Sequence, residues 1–193
     1  MSFFNEAYRG VPPWDIGRPQ PVFAKLAASE DLGNEIIDVG CGTGEHAILF
    51  ASGGYKVLGV DSAPLAIEKA RAKASQRGSK AEFVVADALH LAELHRKFDV
   101  AIDSGLFHVF SDRERAAYVK SLKDALRLQG RYYMLCFSDR EPVSWGGPRR
   151  VFKREILTSF SDGWHVDYVR PAKFESAFHE GGGEAWFAKV TRS

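Results

Sequence analysis

Between residues 35 and 137, short apolar runs alternate with stretches of helical periodicity. The runs are EIIDV (35–39), KVLGV (56–60), EFVVA (82–86), FDVAI (98–102) and RYYMLCF (131–137). Runs that are almost continuously apolar are typical of strands buried on both faces of a parallel sheet. Because parallel strands need crossover connections, the alternation predicts an α/β fold: a doubly wound sheet with helices on both faces.

Capping residues predict where the helices between these strands begin and end. A first helical stretch follows the glycine loop after residue 39 and runs to about Ser52. The other predicted signals are an N-cap at Ser62 with Pro64 in the first turn, a stop at Gly78, a capping box of Ser111 and Glu114, and a stop at Gly130.

The last third of the chain has a different pattern. A long loop, SDREPVSWGGPRR (138–150), precedes a short predicted helix, FKREILTSF (152–160). Two further runs, WHVDYV (164–169) and EAWFAKV (184–190), have no helical pattern between them, so we expect them to pair antiparallel. The prediction is one domain over residues 1–193, with a Rossmann-like seven-stranded sheet that is mostly parallel and has an antiparallel last strand.

A glycine-rich loop, DVGCGTGEH (38–46), lies between the first strand and the first helix. Asp61 ends the second strand 21 residues after Gly40, where an acid commonly holds ribose hydroxyls. A dinucleotide loop needs its third glycine at position 45, which is Glu45, and a pyrophosphate would be repelled by Asp38. An NAD(P)-dependent oxidoreductase is therefore a disfavoured alternative. The cationic, phosphate-free S-adenosylmethionine fits both acids.

Four segments in order, DVGCGTGEH, Asp61, VVADAL (84–89) and FDVAIDSGLFHVF (98–110), resemble the class I S-adenosylmethionine-dependent methyltransferases. The resemblance continues to EAWFAK (184–189) and covers roughly residues 13–190. It is strongest to small-molecule methyltransferases of the thiopurine, benzoquinone and heterocyclic-toxin type, because PPWDIGRPQP (12–21) precedes the glycine loop. It implies in-line methyl transfer to an oxygen or sulfur nucleophile of a small, aromatic or heterocyclic acceptor. A non-catalytic S-adenosylmethionine-binding module on the same fold is the alternative.

The resemblance also implies a cofactor site and a division of the chain. The implied cofactor residues are Trp14, Asp38, Gly40, Cys41, Gly42, Gly44, Asp61, Ser62, Asp87, Ala88 and Ser104. The three glycines would line the methionine part, with Asp38 near its amino end, Asp61 on the ribose diol and Asp87 on the adenine amino group. The implied segments are an N-terminal lid and leading helix (1–34), a cofactor-binding core (35–137), and a substrate loop with a terminal strand pair (138–193).

The acceptor side has four candidate residues: Trp14, Phe107, His108 and Trp145. His108 follows the fourth strand, at the edge where α/β sheets hold ligands, and is a candidate general base. The alternative is a histidine packed under a loop between Phe107 and Phe110. DSGL (103–106) stands where methyltransferases of exocyclic amines have an NPPY-like tetrad, which favours an O- or S-nucleophile.

The segment VPPWDIGRPQP (11–21) precedes all regular patterns. Its four prolines fix the backbone at four points, which lowers the entropy lost when the segment closes over a ligand. Trp14 would then lie over the mouth of the cofactor site, where an aromatic face suits a sulfonium. Alternatively the segment is a strap whose tryptophan plugs the sheet edge. Glu45 is interpreted as a helix N-terminal carboxylate and His46 as helix surface.

Composition limits the partners that this chain is expected to have. With 26 basic and 25 acidic residues, a net charge of +1 does not favour nucleic acid or a membrane surface. The two cysteines, Cys41 and Cys136, and the absence of a leader pattern predict a reducing, cytoplasmic compartment. No Cys/His cluster has metal-site spacing. The expected protein is a monomer or weak homodimer that acts on a small molecule.

Overall fold

The computed structural model describes residues 3–29, 32–144, 146–177 and 179–193. The helices are α1 (Phe3–Ala7), α2 (Pro21–Ser29), α3 (Glu45–Ser52), α4 (Pro64–Gln76), α5 (Asp112–Ala125) and α6 (Lys153–Ser159), with 3-10 turns at Ala88–Leu94 and Phe107–Val109. The strands are β1 (Glu35–Val39), β2 (Lys56–Asp61), β3 (Glu82–Val85), β4 (Phe98–Ser104), β5 (Leu126–Phe137), β6 (Trp164–Ser176) and β7 (His179–Arg192). Within these ranges no helix is long and apolar enough to cross a membrane.

The strands form one seven-stranded sheet in the order β3-β2-β1-β4-β5-β7-β6. The first five strands pair in parallel, and β7 runs antiparallel to both of its neighbours. The predicted Rossmann-like sheet, with an antiparallel last strand, is thus confirmed. Because β1 pairs with both β2 and β4, the strand order reverses there, and ligands of such sheets bind at this switch point.

Alternate residues of each strand pack against helices on opposite faces of the sheet. Ile37 and Val39 belong to a buried cluster with α5 and α6, whereas Ile36 packs with α2, α3 and α4. The predicted covering of both faces is therefore confirmed. Trp164 and Trp186, both nearly buried, lie in the first of these clusters, as expected of core residues.

Several helix and strand bounds differ from those predicted. The helix expected to end at Gly130 ends at Ala125, because Leu126 is buried opposite Phe98 and continues the chain as β5. Ser62 is not a helix cap: Ala63 is the N-cap residue of α4 and has no side-chain cap. The last two strands are longer than predicted and form one antiparallel pair from Trp164 to Arg192.

The other predicted signals are confirmed. Ser111 and Glu114 form the capping box at the start of α5. Gly78 follows the last turn of α4 with a φ of 61°, the left-handed conformation that glycine favours. The short helix after the long loop is present as α6.

Candidate functional site

The glycine loop leaves the carboxyl end of β1 and enters α3 at Glu45. Gly42 and Gly44 have φ angles of 54° and 84°. A Cβ at Gly42 would lie 2.7 Å from the Tyr8 hydroxyl, and one at Gly44 would lie 2.7 Å from the Phe83 ring. The loop therefore needs glycine both for its conformation and for close approach of its neighbours.

Asp61 joins this loop to the end of β2. Its Oδ2 accepts the Gly42 N–H and its Oδ1 accepts the Ala63 N–H, both at 2.9 Å. Burial raises the pKa of Asp61, although backbone N–H groups, including those of Ala63, Gly42 and Ser62, oppose that rise. Each carboxylate oxygen has a second lone pair and can accept a further hydrogen bond, but Asp61, like Asp38, does not line the cavity described below.

Asp38 lies beneath the loop. The residue is 1% exposed, and its Oδ2 accepts the Ala47 N–H at 3.1 Å in the first turn of α3. Burial, with smaller contributions from Asp103 and Asp61, raises its pKa to about 8. Asp38 therefore does not line the cavity described next, and its predicted place near an amino group receives no support from the geometry.

The segment between Val11 and Gln20, here called the strap, covers the glycine loop. The Thr43 hydroxyl donates to Asp15 at 3.0 Å, and the Gln20 N–H donates to His46 Nε2 at 3.0 Å. A cavity of about 60 Å³ lies between strap and loop. Its lining residues are Tyr8, Trp14, Asp15, Ile16, Arg18, Gln20, Gly40, Cys41, Gly42, Thr43, Glu45, His46 and Ser104. The strap thus encloses the space between the glycine loop and the end of β4.

The strap is also attached to the far edge of the sheet. Gln20, 2% exposed, donates to the Glu175 carbonyl at 2.8 Å and accepts the Glu175 N–H at 2.9 Å. The Ala177 N–H donates to the Pro13 carbonyl at 2.8 Å, and Arg18 forms an ion pair with the Glu175 carboxylate. One short segment therefore connects the glycine loop to the end of β6.

Trp14 and Tyr8 form the aromatic part of the cavity wall. The Trp14 indole N–H donates to the Tyr8 hydroxyl at 3.0 Å, and the two rings meet edge to face with centroids 6.2 Å apart. Burial, the Asp61 charge and the Asp15 charge raise the pKa of Tyr8, so the phenol stays protonated. Sequence reasoning missed Tyr8, whose only signal is an aromatic one helical turn after Phe4.

The first two residues of α3 are both tied to neighbouring elements. His46, interpreted as helix surface, is not: its ring packs 4.9 Å from Phe23, and burial lowers its pKa to about 4. Glu45 lies at the helix N-terminus as expected, and it also pairs with Lys73 at 2.6 Å and Arg77 at 2.8 Å. Although its burial opposes ionisation, these two cations lower the pKa of Glu45.

At the end of β3, Asp87 caps the 3-10 turn that begins at Ala88. Its Oδ1 accepts the Leu89 N–H at 2.9 Å, and its Oδ2 lies 3.1 Å from His90 Nδ1. The Asp87 side chain is 55% exposed, so its remaining lone pairs face solvent. Asp87 thus caps this turn, which was the alternative to a role in adenine binding. Its adenine role stays a prediction.

The contacts of His108 do not support its predicted role as a general base. The residue is 4% exposed, and its Nδ1 accepts the Phe137 N–H at 3.0 Å, so the neutral ring carries its proton on Nε2. Burial, with the charges of Arg115 and Arg150, lowers its pKa to about 3. A general base works best with a pKa near the operating pH. The packed alternative describes His108 better, but its ring stacks on Phe137 at 5.2 Å rather than between Phe107 and Phe110.

Two other acceptor-side predictions have different outcomes. Phe107 is fully buried, with its ring stacked 6.0 Å from Phe160 and Arg115 on its face, so the geometry gives its predicted substrate contact no support. Trp145 lies outside the described residues. Ser104 lines the cavity, at the end of β4 where it was expected.

Sequence reasoning also missed Asp103, which organises the loop after β4. This fully buried carboxylate accepts hydrogen bonds from the N–H groups of Leu106 and Phe107 and from the hydroxyls of Tyr118 and Tyr132, at 2.7–3.1 Å. Burial raises its pKa to about 6 against these donors. An acid inside the apolar run FDVAIDS is the signal that could have identified it.

The chemistry of these residues fits S-adenosylmethionine. The glycine loop gives a ligand close access to the backbone, the Asp61 oxygens can accept further hydrogen bonds, and Trp14 adds an aromatic ring to the cavity wall.

Comparison with known proteins gives a consistent result. A family model described as a methyltransferase domain matches residues 36–130. A 2-heptyl-1-hydroxyquinolin-4(1H)-one methyltransferase of Mycobacteroides abscessus is 32% identical over 197 residues, which cover 95% of this chain and 87% of that protein. A probable thiol methyltransferase 2 of Arabidopsis thaliana is 30% identical over 141 residues, covering 72% of this chain and 62% of that protein.

A solved structure also resembles the whole chain. It comes from work on the conversion of a disulfide bond into a thioacetal group during echinomycin biosynthesis. It has a TM-score of 0.89 and 32% identity, and the match covers 98% of this chain and 91% of that one. The N-terminal strap and the terminal strand pair thus lie inside the matched region.

Proposed function

Because the chain belongs to the class I S-adenosylmethionine-dependent methyltransferases, we propose that it methylates an oxygen or sulfur nucleophile of a small aromatic or heterocyclic molecule. It is an enzyme whose cofactor is S-adenosylmethionine, and its named relatives act on small molecules. One of these relatives is named for a hydroxyquinolinone and another for thiols, which supports both kinds of nucleophile for this chain. The observation that most directly supports this proposal is the cavity between the glycine loop and Ser104, with Trp14 in its wall.

In this proposal the chain's own residues bind and align rather than move protons. Asp61 takes the ribose diol, the loop from Gly40 to Gly44 holds the methionine part, and Asp87 with Ala88 meets the adenine. Ser62 lies beside Asp61, and Cys41 fills a small slot of the loop. When bound, the cofactor supplies an electrophilic methyl group on a cationic sulfur. Alignment and exclusion of water are what such an in-line displacement needs most.

The acceptor is proposed to reach this site already ionised. The Nδ1 of His108 accepts a backbone N–H, and the oxygens of Asp103 accept four donors, so neither group is arranged to remove a proton. A thiol, an N-hydroxy group or an acidic phenol ionises near neutral pH without help, whereas an ordinary hydroxyl does not. The proposed acceptors are therefore acidic ones.

An acceptor panel tests this function. Purified protein, S-adenosylmethionine labelled in its methyl group, and matched thiophenols, N-hydroxyquinolinones, phenols and aliphatic alcohols would be compared for transfer. We expect transfer to the first two classes and, within the phenols, rates that rise with acidity. Transfer only to amines or to macromolecules would overturn the proposed acceptor class.

The ribose assignment has its own test. Asp61→Ala should weaken the binding of S-adenosylhomocysteine more than tenfold in calorimetry, because an ionised acceptor of hydrogen bonds is lost. Asp87→Ala is the matched control for adenine, with a smaller loss expected because that carboxylate is exposed. Unchanged affinity in Asp61→Ala would refute the ribose role.

A further inference from the structure

The charged residues that line the cavity are Asp15, Arg18 and Glu45. Glu45 is held by Lys73 and Arg77, which leaves two strap residues of opposite charge at the mouth of the cavity. They stand three residues apart on either side of Gly17, whose φ of 69° bends the strap between them.

Asp15 and Arg18 interact only weakly with their present partners. Asp15 accepts from neutral donors, the Thr43 hydroxyl at 3.0 Å and the Gly17 N–H at 3.3 Å. Arg18 pairs with Glu175, and its side chain is 58% exposed. Exposed ion pairs contribute little to stability, so Arg18 can exchange this carboxylate for another at little cost.

We propose that Asp15 and Arg18 recognise the amino-acid end of S-adenosylmethionine, Asp15 its ammonium group and Arg18 its carboxylate. The methionine part of this cofactor ends in one positive and one negative group, and the strap presents the complementary pair. A guanidinium matches a carboxylate with two parallel N–H donors. Asp38, the acid expected at the ammonium, is buried beneath the loop and absent from the cavity wall.

In this arrangement, binding of the cofactor changes the contacts of the strap. Gln20 fixes one end of the strap with three hydrogen bonds, two to Glu175 and one to His46. Residues 14–18 lie over the cavity, and their charged side chains would gain partners when the amino-acid end is present. The strap then adds to the glycine loop's specificity for the complete cofactor over its adenosine fragment.

Calorimetry with three ligands distinguishes the contact of Arg18 with the carboxylate from that of Asp15 with the ammonium group. They are S-adenosylhomocysteine, its deaminated analogue, which keeps the carboxylate, and 5′-methylthioadenosine, which lacks the whole amino-acid end. Arg18→Gln should weaken the first two about 10–100-fold and leave the third unchanged, because a charged hydrogen-bond pair is lost. Asp15→Asn should weaken only S-adenosylhomocysteine. Arg18→Lys keeps the positive charge but loses the two parallel N–H donors, so its affinity should lie between those of the wild type and Arg18→Gln.

Glu175→Gln is the matched control, because it removes the partner of Arg18 and leaves Arg18 free. It should bind S-adenosylhomocysteine as tightly as the wild type or more tightly. Equal weakening of all three ligands by Arg18→Gln and Glu175→Gln would overturn the proposal and make the pair a structural latch. The inference rests on the cofactor assignment, and that assignment fails separately if the wild type binds neither S-adenosylhomocysteine nor 5′-methylthioadenosine. Melting temperatures of the variants check that they are folded.

Discussion

At the scale of single residues, one hydrogen bond decides what His108 can do. Its Nδ1 is occupied by the Phe137 N–H, and burial favours the neutral ring. We therefore expect His108→Ala to lower turnover by the same factor for acceptors of high and low pKa, since the loss comes from packing against Phe137 and Phe174. Steady-state kinetics with a graded series of phenols measures this.

His108→Asn is the control for that series. Its side-chain oxygen can take the place of Nδ1 and accept the Phe137 N–H, so it should retain more activity and stability than His108→Ala. A loss confined to acceptors of high pKa would instead make His108 a base.

Asp38 gives the stability of the protein a dependence on pH. Its pKa is raised to about 8 in the folded state, against 3.8 for the ordinary side chain, so between these values the unfolded state binds fewer protons. Stability then falls as the pH rises. Asp103 and Asp61, whose pKa values are also raised by burial, act in the same direction, whereas His46 and His108, with lowered pKa values, act in the opposite direction below about pH 6.5. Between about pH 6.5 and pH 8 we therefore expect Asp38 to make the main contribution.

We expect the free energy of unfolding, measured by urea titration, to decrease across that window. In Asp38→Asn the decrease should be much smaller, because the amide does not titrate and its oxygen can still accept the Ala47 N–H. An equal decrease in both proteins would show that Asp38 is ionised in the folded state at neutral pH.

Sequence reasoning works at residues whose type is required by backbone geometry or by strand position. The glycine loop and Asp61 are of this kind, since glycine alone tolerates the contacts at Gly42 and Gly44. It fails for side chains whose partners come from distant segments. Nothing local predicts that His46 accepts from Gln20, or that Asp103 meets Tyr118 and Tyr132.

At the scale of elements, we expect the strap to move when the cofactor enters. The cavity beneath it is about 60 Å³, whereas sites for ligands of this size occupy about 300–1,000 Å³. We expect hydrogen exchange to show low protection of the Gln20 and Glu175 amides without ligand, and higher protection with S-adenosylhomocysteine, because ligand contacts hold the strap closed. Amides of β1 should not change and serve as the control. Equal protection of the strap in both states would contradict a moving strap.

Substitutions of Trp14 test whether this residue covers the cofactor site or only fills the edge of the sheet. Its indole N–H reaches Tyr8 and its ring lines the cavity, so Trp14→Ala should raise the KM for cofactor or acceptor beyond any loss of stability. Trp14→Phe keeps an aromatic ring but loses the hydrogen bond, so its KM should lie between those of the wild type and Trp14→Ala. A lowered melting temperature with unchanged KM would leave Trp14 as a plug of the sheet edge.

Elements with strong periodicity and capping were predictable, and those decided by long-range pairing were not. The capping box of Ser111 and Glu114 is a local device and was found from the sequence. Because glycine usually stops helices, the sequence predicts the end of α5 at Gly130, but strand pairing of Leu126 with Phe98 ends the helix earlier. β6 and β7 extend past their predicted ends because each supplies the other's hydrogen bonds.

At the scale of the whole molecule, the sheet connects the proposed cofactor-binding core to the terminal strand pair. β5 belongs to the core, and its residues 131–137 pair with residues 185–191 of β7. The buried cluster on one face includes Ile37 from β1, Leu122 from α5 and Trp186 from β7. Both proposed segments therefore share one core, and the strap adds a third connection through Glu175.

This continuity predicts a single cooperative unfolding transition that the cofactor product shifts as a whole. Far-UV circular dichroism and tryptophan fluorescence should give coincident melting curves, because Trp14, Trp164 and Trp186 report on the strap and the terminal strands while the dichroism reports mainly on the helices. S-Adenosylhomocysteine at a hundredfold excess over its Kd stabilises the folded state by about 2.7 kcal/mol, which for a chain of this length raises Tm by about 5–10 °C. Both probes should shift together, and Arg18→Gln should shift less at the same ligand concentration. Two separated transitions, of which the ligand moves only one, would show that residues 138–193 unfold independently of the core.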